Sequence, residues 1–266
     1  MRAAAADKSD KSISLKATEK EFGARGAGVQ ALTPTTIDIA GGGMTILLGP
    51  SGCGKTTMLR LIAGLETPTS GIIEVGGVNL WANGKRNSEA LSHLGMVFQE
   101  ANLFPWLNIE DNIALPLKLR GVKKAERLAK AHELCRLVGI SGFERRMPRE
   151  LSGGMRQRAS IARALSYDPG ILLMDEPFGA LDAITRDTMN NELQRIWMET
   201  GKTVVLVTHS IGEAVFLADR IVLLSPRPGR VQEVIEVPFP RPRDQSVHHD
   251  PEFQRIVAYL RGKLDH

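Results

Sequence analysis

Four short apolar runs set the rhythm of this chain: Met44–Leu48 (MTILL), Ile171–Met174 (ILLM), Val204–Val207 (VVLV) and Ile221–Leu224 (IVLL). Runs of this kind, without polar alternation, suit strands buried on both faces of a parallel sheet. The spans between the last three are of helix length, as α/β units require. After the first run, Thr56 to Ala63 reads as a helix with Gly64 as its C-terminal cap. Ile13 to Ile39 suggests short strands, broken by a Gly-rich stretch from Gly23 to Gly28. Gly71 to Leu80 (GIIEV-GG-VNL) predicts a hairpin turning at Gly76 and Gly77. Between these blocks the pattern changes. Lys123 to Val138 carries apolar Leu128, Ala131, Leu134 and Leu137 at helical spacing, and residues 108–168 hold no strong strand signal. The fold class expected is α/β, with a helical insertion between two parts of the core.

The boundaries follow from composition. Residues 1–12 are small and charged and read as a disordered tail. Residues 13–238 form the main domain, with the helical subdomain over about 100–168. Residues 239–266 read as an extended tail with a short terminal helix, after a stretch from Pro226 to Pro242 punctuated by proline and arginine.

Bulk composition excludes more than it identifies. At 266 residues, 42% hydrophobic and 24% charged, the chain can bury a full core and matches ordinary globular proteins. An aromatic share of 5% speaks against an aromatic-rich nucleic-acid reader, and a net charge of +4 only weakly favours an anionic partner. The two cysteines, Cys53 and Cys135, are expected to be free thiols in a reducing cytosol, because a disulfide would lock the ligand loop that contains Cys53. The N-terminal stretch has no apolar h-region, and no apolar run reaches the ~18 residues needed to span a bilayer. Work at a membrane would be done from the water side.

The chemistry sits in a few motifs. Gly49-Pro50-Ser51-Gly52-Cys53-Gly54-Lys55-Thr56, followed by Thr57, fits the phosphate loop G-x-x-x-x-G-K-[ST] between a predicted strand and a predicted helix. Its glycines let backbone N–H groups turn around phosphate oxygens, and the helix N-terminus directs its positive end at them. Lys55 supplies a charge to the β- and γ-phosphates, and the Thr56 hydroxyl is placed to ligate Mg²⁺. The run Ile171–Met174 ends in Asp175 and Glu176. Two carboxylates at the end of a buried strand need a compensating cation, which Mg²⁺ with phosphate supplies. Asp175 is assigned to the metal, and Glu176, on the other face by strand alternation, to general-base duty toward water.

Phosphate loop, Leu151–Arg158 (LSGGMRQR), ILLMDEP, Gly179–Asp182 (GALD) and Val207–Ser210 (VTHS) occur in an order and spacing that resembles the ATP-binding-cassette (ABC) ATPases, over about residues 13–238. The resemblance implies a P-loop core with an antiparallel β-subdomain and an inserted α-helical subdomain. It implies that Ser152, Gly153, Gly154 and Gln157 complete the nucleotide site of a second copy, so that ATP and Mg²⁺ are held between two chains of a homodimer. His209, otherwise readable as a structural strand-end histidine, aligns with the switch histidine that contacts the γ-phosphate. Asp182 aligns with the dimer-contact loop, where this chain has Gly-Ala in place of the commoner Ser-Ala. Gln99 aligns with the glutamine that ligates Mg²⁺ and senses the transmembrane partner. Phe22, otherwise an ordinary strand-end core aromatic, aligns with the residue stacking on adenine, although the interval to Gly49 is longer than usual.

Among cassette proteins, the soluble forms that act on nucleic acid or ribosomes usually carry two cassettes or a coiled-coil insertion, neither of which is present. A P-loop kinase would leave LSGGMRQR unexplained, and an exporter would more often have fused membrane helices. The expectation is an ATP-hydrolysing subunit docked on the cytoplasmic face of a bacterial inner membrane. Its partners would be integral-membrane permease subunits and, indirectly, a periplasmic substrate-binding protein, with no nucleic acid. Leu103–Leu107 (LFPWL) is either core or contact surface by composition; the family docks its permease nearby. This motif, VFQE (Val97–Glu100) and the RPGR…PFPRPRD segment resemble the nitrate/sulfonate/taurine importer group, which also includes importers of pyrimidine precursors.

Overall fold

The computed structural model describes residues 11–23 and 28–264; the proposed disordered tail lies almost entirely outside them. In chain order the elements are β1 (Ile13–Phe22), β2 (Val29–Ile39), β3 (Met44–Leu48), α1 (Lys55–Ile62), β4 (Ser70–Val75), β5 (Val78–Asn79), β6 (Trp81–Ala82), β7 (Lys85–Arg86), α2 (Ser88–Ser92) and β8 (Leu94–Val97). There follow α3 (Ile109–Leu119), α4 (Lys124–Leu137), α5 (Gly153–Leu165), β9 (Ile171–Asp175), α6 (Ala183–Thr200), β10 (Thr203–Val207), α7 (Ile211–Leu217), β11 (Arg220–Leu224), β12 (Val231–Glu236) and α8 (Pro251–Leu264).

The apolar runs become the middle of one six-stranded sheet, ordered β12-β11-β3-β10-β9-β8. Only the β11–β12 pair is antiparallel. Strand alternation sorts its side chains into two cores. Met44, Ile46, Leu172, Met174, Val204 and Leu206 face a core closed by α3 to α8, while Leu47, Leu173, Val205 and Val207 face one closed by α1 and the second sheet. Every residue of β3, β9 and β10 is buried, which is why none of these strands needed polar alternation.

The second sheet is antiparallel, ordered β2-β1-β4-β5. Where short strands were expected between Ile13 and Ile39, β1 and β2 are long and irregular, with register shifts that absorb the polar positions. The predicted hairpin is present: Val75 pairs Val78 across Gly76 and Gly77, whose φ angles of 59° and 75° need glycine's freedom.

Helices α3, α4 and α5 pack together as the helical region. The span 239–266 reads from sequence as an extended tail with a short terminal helix; the helix is present as α8, but residues 239–264 fold back instead of extending. Phe253, Ile256 and Leu260 of α8 enter the main core. Arg243, only 4% exposed, donates to the carbonyls of Val215, Phe216 and Ala218 at the end of α7. Arg241 pairs with Asp219 at 2.8 Å and lies over the Trp197 ring. These arginines satisfy orphan carbonyls at a helix C-terminus.

Candidate nucleotide site

Strand β3 delivers the phosphate loop, and α1 begins at Lys55. Gly54 sits at φ 97°, and a Cβ there would stand 2.7 Å from the Ala31 carbonyl oxygen, so the position admits only glycine. Ser51, Gly52, Gly54, Lys55, Thr56 and Thr57 line a cleft of about 310 Å³ together with Phe22, Ala31, Glu176 and Arg227. Gly49, Pro50 and Cys53 belong to the same loop but do not line the cleft. The Pro50 carbonyl accepts from Cys53 N, and a Cβ on Gly49 would strike the Cys53 sulfur at 2.7 Å. The Cys53 thiol is core packing, pushed up from its usual pKa by burial, and its sulfur also accepts a long contact from Lys55 Nζ at 3.9 Å. Lys55 is buried and turns back over the loop, donating to the carbonyls of Gly49 (2.7 Å) and Pro50 (2.9 Å).

Thr56 Oγ1 donates to Asp175 Oδ1 at 2.9 Å, joining the loop to the end of β9. Burial raises the Asp175 carboxyl above its usual pKa, against the opposing pull of that hydrogen bond. A hydroxyl and a desolvated carboxylate are hard oxygen donors short of positive charge. This suits Mg²⁺, which is held through one or two protein oxygens plus phosphates and water. No cluster of three His, Cys, Asp or Glu side chains suited to a metal occurs among the described residues.

Glu176 lies one residue past β9, at φ +44°, a left-handed backbone that costs a non-glycine residue about 1–2 kcal/mol. Strand alternation was the expected reason for its separation from Asp175. The cause is instead this reversal of the backbone, braced by Glu176 N donating to the Val207 carbonyl at 3.0 Å. The turn carries the Glu176 carboxylate to 3.0 Å from His209 Nδ1, beyond the end of β10. Strain of this size at a strand end, resolved into a carboxylate–imidazole pair, is what an active site stores. Gly179 makes room. A Cβ there would lie 3.4 Å from the Gln99 amide nitrogen and 3.5 Å from Glu176 Oε2. Gln99 itself faces a neighbouring cleft of about 460 Å³, shared with Gly153, Pro177 and Leu181. The triad assigned to the metal therefore converges only in part: Thr56 and Asp175 meet, while Gln99 stands on the Glu176 side.

Phe22, at the end of β1, is 40% exposed and lies at the mouth of the phosphate cleft, with Lys20 Nζ 4.7 Å above its ring. That is the position of a stacking platform rather than a core aromatic.

The LSGG residues divide. Ser152 is exposed and caps α5, its side chain accepting from Met155 N. Gly153 is exposed beside it, whereas Gly154 is buried, where a Cβ would meet Thr185 Cγ2 at 3.2 Å. Gln157, assigned with them to a second copy's nucleotide, is 4% exposed and donates to the Phe98 carbonyl within its own chain. A side chain one turn into the helix points back onto the fold, so Gln157 ties α5 to the segment leading into Gln99. Asp182 is exposed and caps α6, accepting from Thr185 N and Oγ1; the Thr185 backbone hydrogen bond holds its carboxyl below the usual range.

The LFPWL segment divides: Leu103 packs against the main core, whereas Phe104 and Trp106 are exposed. Trp106 is 71% exposed and packs on Phe104 at 5.3 Å. The loop is held rigid by Asn112, wholly buried, which bonds Phe104 N, Phe104 O and Leu107 O. Asn112 was missed from sequence; its only signal is an amide on the apolar face of a helix.

A family model described as ABC transporter matches residues 32–179. The chain belongs to the ABC transporter family. It is an ATPase, with ATP and Mg²⁺ as its ligands. The taurine import ATP-binding protein TauB of Escherichia coli strain 536 is 45% identical over 242 residues, 89% of this chain and 92% of that one. An uncharacterized ABC transporter ATP-binding protein of Methanocaldococcus jannaschii, MJ0412, is 43% identical over 91% of this chain and 88% of its own length. Among solved structures, the dimeric bacterial ABC transporter cassette MJ0796 superimposes with a TM-score of 0.74 at 34% identity, covering 85% of this chain and 99% of that one. The same cassette in a post-hydrolysis state bound to ADP and phosphate superimposes with a TM-score of 0.73 at 33% identity. No helix among the described residues is long and apolar enough to cross a membrane.

Proposed function

We propose that this chain is the ATP-hydrolysing subunit of a bacterial importer, working as a head-to-tail homodimer beneath membrane permease subunits. Its cargo is a small anionic or zwitterionic nutrient of the sulfonate and nitrate class, with taurine the first candidate from the name of a relative. A periplasmic binding protein would select the cargo; none of the residues described above faces it. The observation that carries this reading is a division of labour. One chain gathers its phosphate loop, Asp175, Glu176 and His209 around one cleft, yet leaves Gly153 exposed on another, with Ser152 exposed beside it.

In the closed pair, the loop N–H groups and Lys55 hold the phosphates, and Phe22 stacks on adenine. Ser152 and Gly153 of one copy meet the γ-phosphate bound by the other. Thr56 and Asp175 would hold Mg²⁺, which would supply neutralising charge at the phosphates. Glu176 accepts the proton of the attacking water as that oxygen bonds the γ-phosphorus and the bond to the bridging oxygen breaks. His209, at hydrogen-bond distance, fixes the Glu176 carboxylate for this transfer.

The exposed Phe104–Trp106 pair is the seat for the permease. Trp106→Ala should leave ATPase activity of the isolated subunit near wild type and uncouple it from uptake in the reconstituted complex, since truncating a buried interface tryptophan costs at least about 2 kcal/mol. Normal transport by this variant would remove the assignment of the seat.

A further inference from the structure

We infer that Arg227 is a nucleotide contact of this ATPase, a second basic side chain besides Lys55 that engages the α/β-phosphate end of the bound nucleotide. This rests on the reading of the phosphate-loop cleft as the ATP site.

The loop between β11 and β12 is not a free turn. Gly229 N donates to the Ala31 carbonyl at 3.1 Å, and the Gly229 carbonyl accepts from Thr33 N at 2.9 Å and Thr33 Oγ1 at 3.1 Å. A Cβ on Gly229 would fall 2.0 Å from the Cys53 carbonyl oxygen, which no side chain could occupy. Ser225 N donates to the Arg230 carbonyl at 3.0 Å and closes the loop at its base. The Ala31 carbonyl is thus flanked by Gly54 on one side and Gly229 on the other, so that β2, the phosphate loop and this loop pack backbone to backbone.

This anchoring places Arg227, two residues before Gly229, in the wall of the cleft beside Phe22 and Ser51 to Thr57. Arg227 is exposed and makes no hydrogen bond or ion pair with the other described residues. An unpaired guanidinium beside Lys55 and a helix N-terminus concentrates positive charge without an acidic partner of its own. Such an arrangement is favourable when a polyanion occupies the cleft.

Sheet order says which end of the polyanion it meets. Arg227 follows β11, which lies on one side of β3, while β10 and β9, leading to His209 and Glu176, lie on the other. The guanidinium therefore stands on the flank away from the hydrolytic pair. It should grip phosphates common to ATP and ADP.

The test measures ATP and ADP binding to wild type, Arg227→Ala, Arg227→Lys and Lys55→Ala at low and high salt. Arg227→Ala should weaken both nucleotides by the same factor, on the order of three- to ten-fold, with a shallower salt dependence. Arg227→Lys should recover most of the loss. Because Arg227 makes no hydrogen bond or ion pair among the described residues, the nucleotide-free melting temperature should change little. Unchanged affinities in Arg227→Ala alone would overturn the inference, as would a loss for ATP but not ADP, or a Lys variant as weak as the Ala variant. If Lys55→Ala also bound ATP as wild type does, the reading of the cleft itself would fail.

Discussion

The phosphate-loop cleft and the LSGG cleft are built by opposite rules. In the first, residues remote in sequence close on each other inside one chain: Thr56 bonds Asp175, Glu176 meets His209, and Gly54 presses against Ala31. In the second, side chains that point inward are spent on the fold and those that remain are exposed. Gln157 is tied to Phe98, Ser152 and Asp182 cap their own helices, and Gly153 faces solvent. The first cleft is complete enough to bind; the second supplies a helix N-terminus with nothing in its own chain to receive it. A site that a second copy must finish looks, within one copy, like an ordinary helix start.

The largest effect expected from breaking this contrast is in Glu176→Gln. Removing the general base should reduce ATP hydrolysis by roughly 10²- to 10⁴-fold and leave binding intact. An ATP-dependent dimer should accumulate on a sizing column, and adding Gly153→Asp should abolish that dimer without unfolding the subunit. A Glu176→Gln protein that stays monomeric with ATP and Mg²⁺ at high concentration would show that the second cleft is not completed in trans.

Lys55→Ala acts on the first cleft alone. Loss of a full charge at the phosphates should lower steady-state hydrolysis by about 10²-fold or more. Activity within a few-fold of wild type would place phosphate binding elsewhere. Phe22→Ala is milder. Losing an aromatic stack should weaken ATP binding by about 1–3 kcal/mol, and calorimetry on the isolated subunit would detect it.

The smallest effect sharpens the boundary between site and scaffold. Glu213, in the first turn of α7 behind His209, is 7% exposed, with one carboxylate oxygen lacking a hydrogen-bond partner. Burial raises its pKa, opposed by a hydrogen bond from Thr208. For a carboxyl raised in the folded state, stability is fully present below the unfolded value near 4.5 and is lost as pH rises through the higher folded value. Glu213→Gln should therefore raise the melting temperature by a few degrees at pH 8 and by less at pH 5. A lower melting temperature at pH 8 would show that the ionised carboxylate is what the fold uses.

Much of this was legible in the linear chain. The strands β3, β9, β10 and β11 announced themselves as apolar runs because burial on both faces removes the need for polar positions. The phosphate loop was legible for a related reason: its glycines and Lys55 answer to local backbone geometry, and local geometry leaves a fixed spacing. Asp175 and Glu176 were found together, but not the φ of +44° that parts them, since a strained backbone leaves no compositional trace.

Other residues were decided only by packing. Gln157 sits in the same motif as Ser152, yet helical rotation turns one inward and leaves the other outside. Arg241 and Arg243 fell where a proline-punctuated stretch reads as running into an extended tail and became the cap of α7, because only the folded chain brings orphan carbonyls to meet them. Trp106 could have been core or surface by composition, and Arg227 carried no signal beyond its motif. Sequence by itself determined what neighbouring residues and periodic burial impose: the strands, the phosphate cradle and the order of the motifs. Tertiary structure decided where each side chain ends up relative to segments far away, because those distances depend on every strand and turn in between.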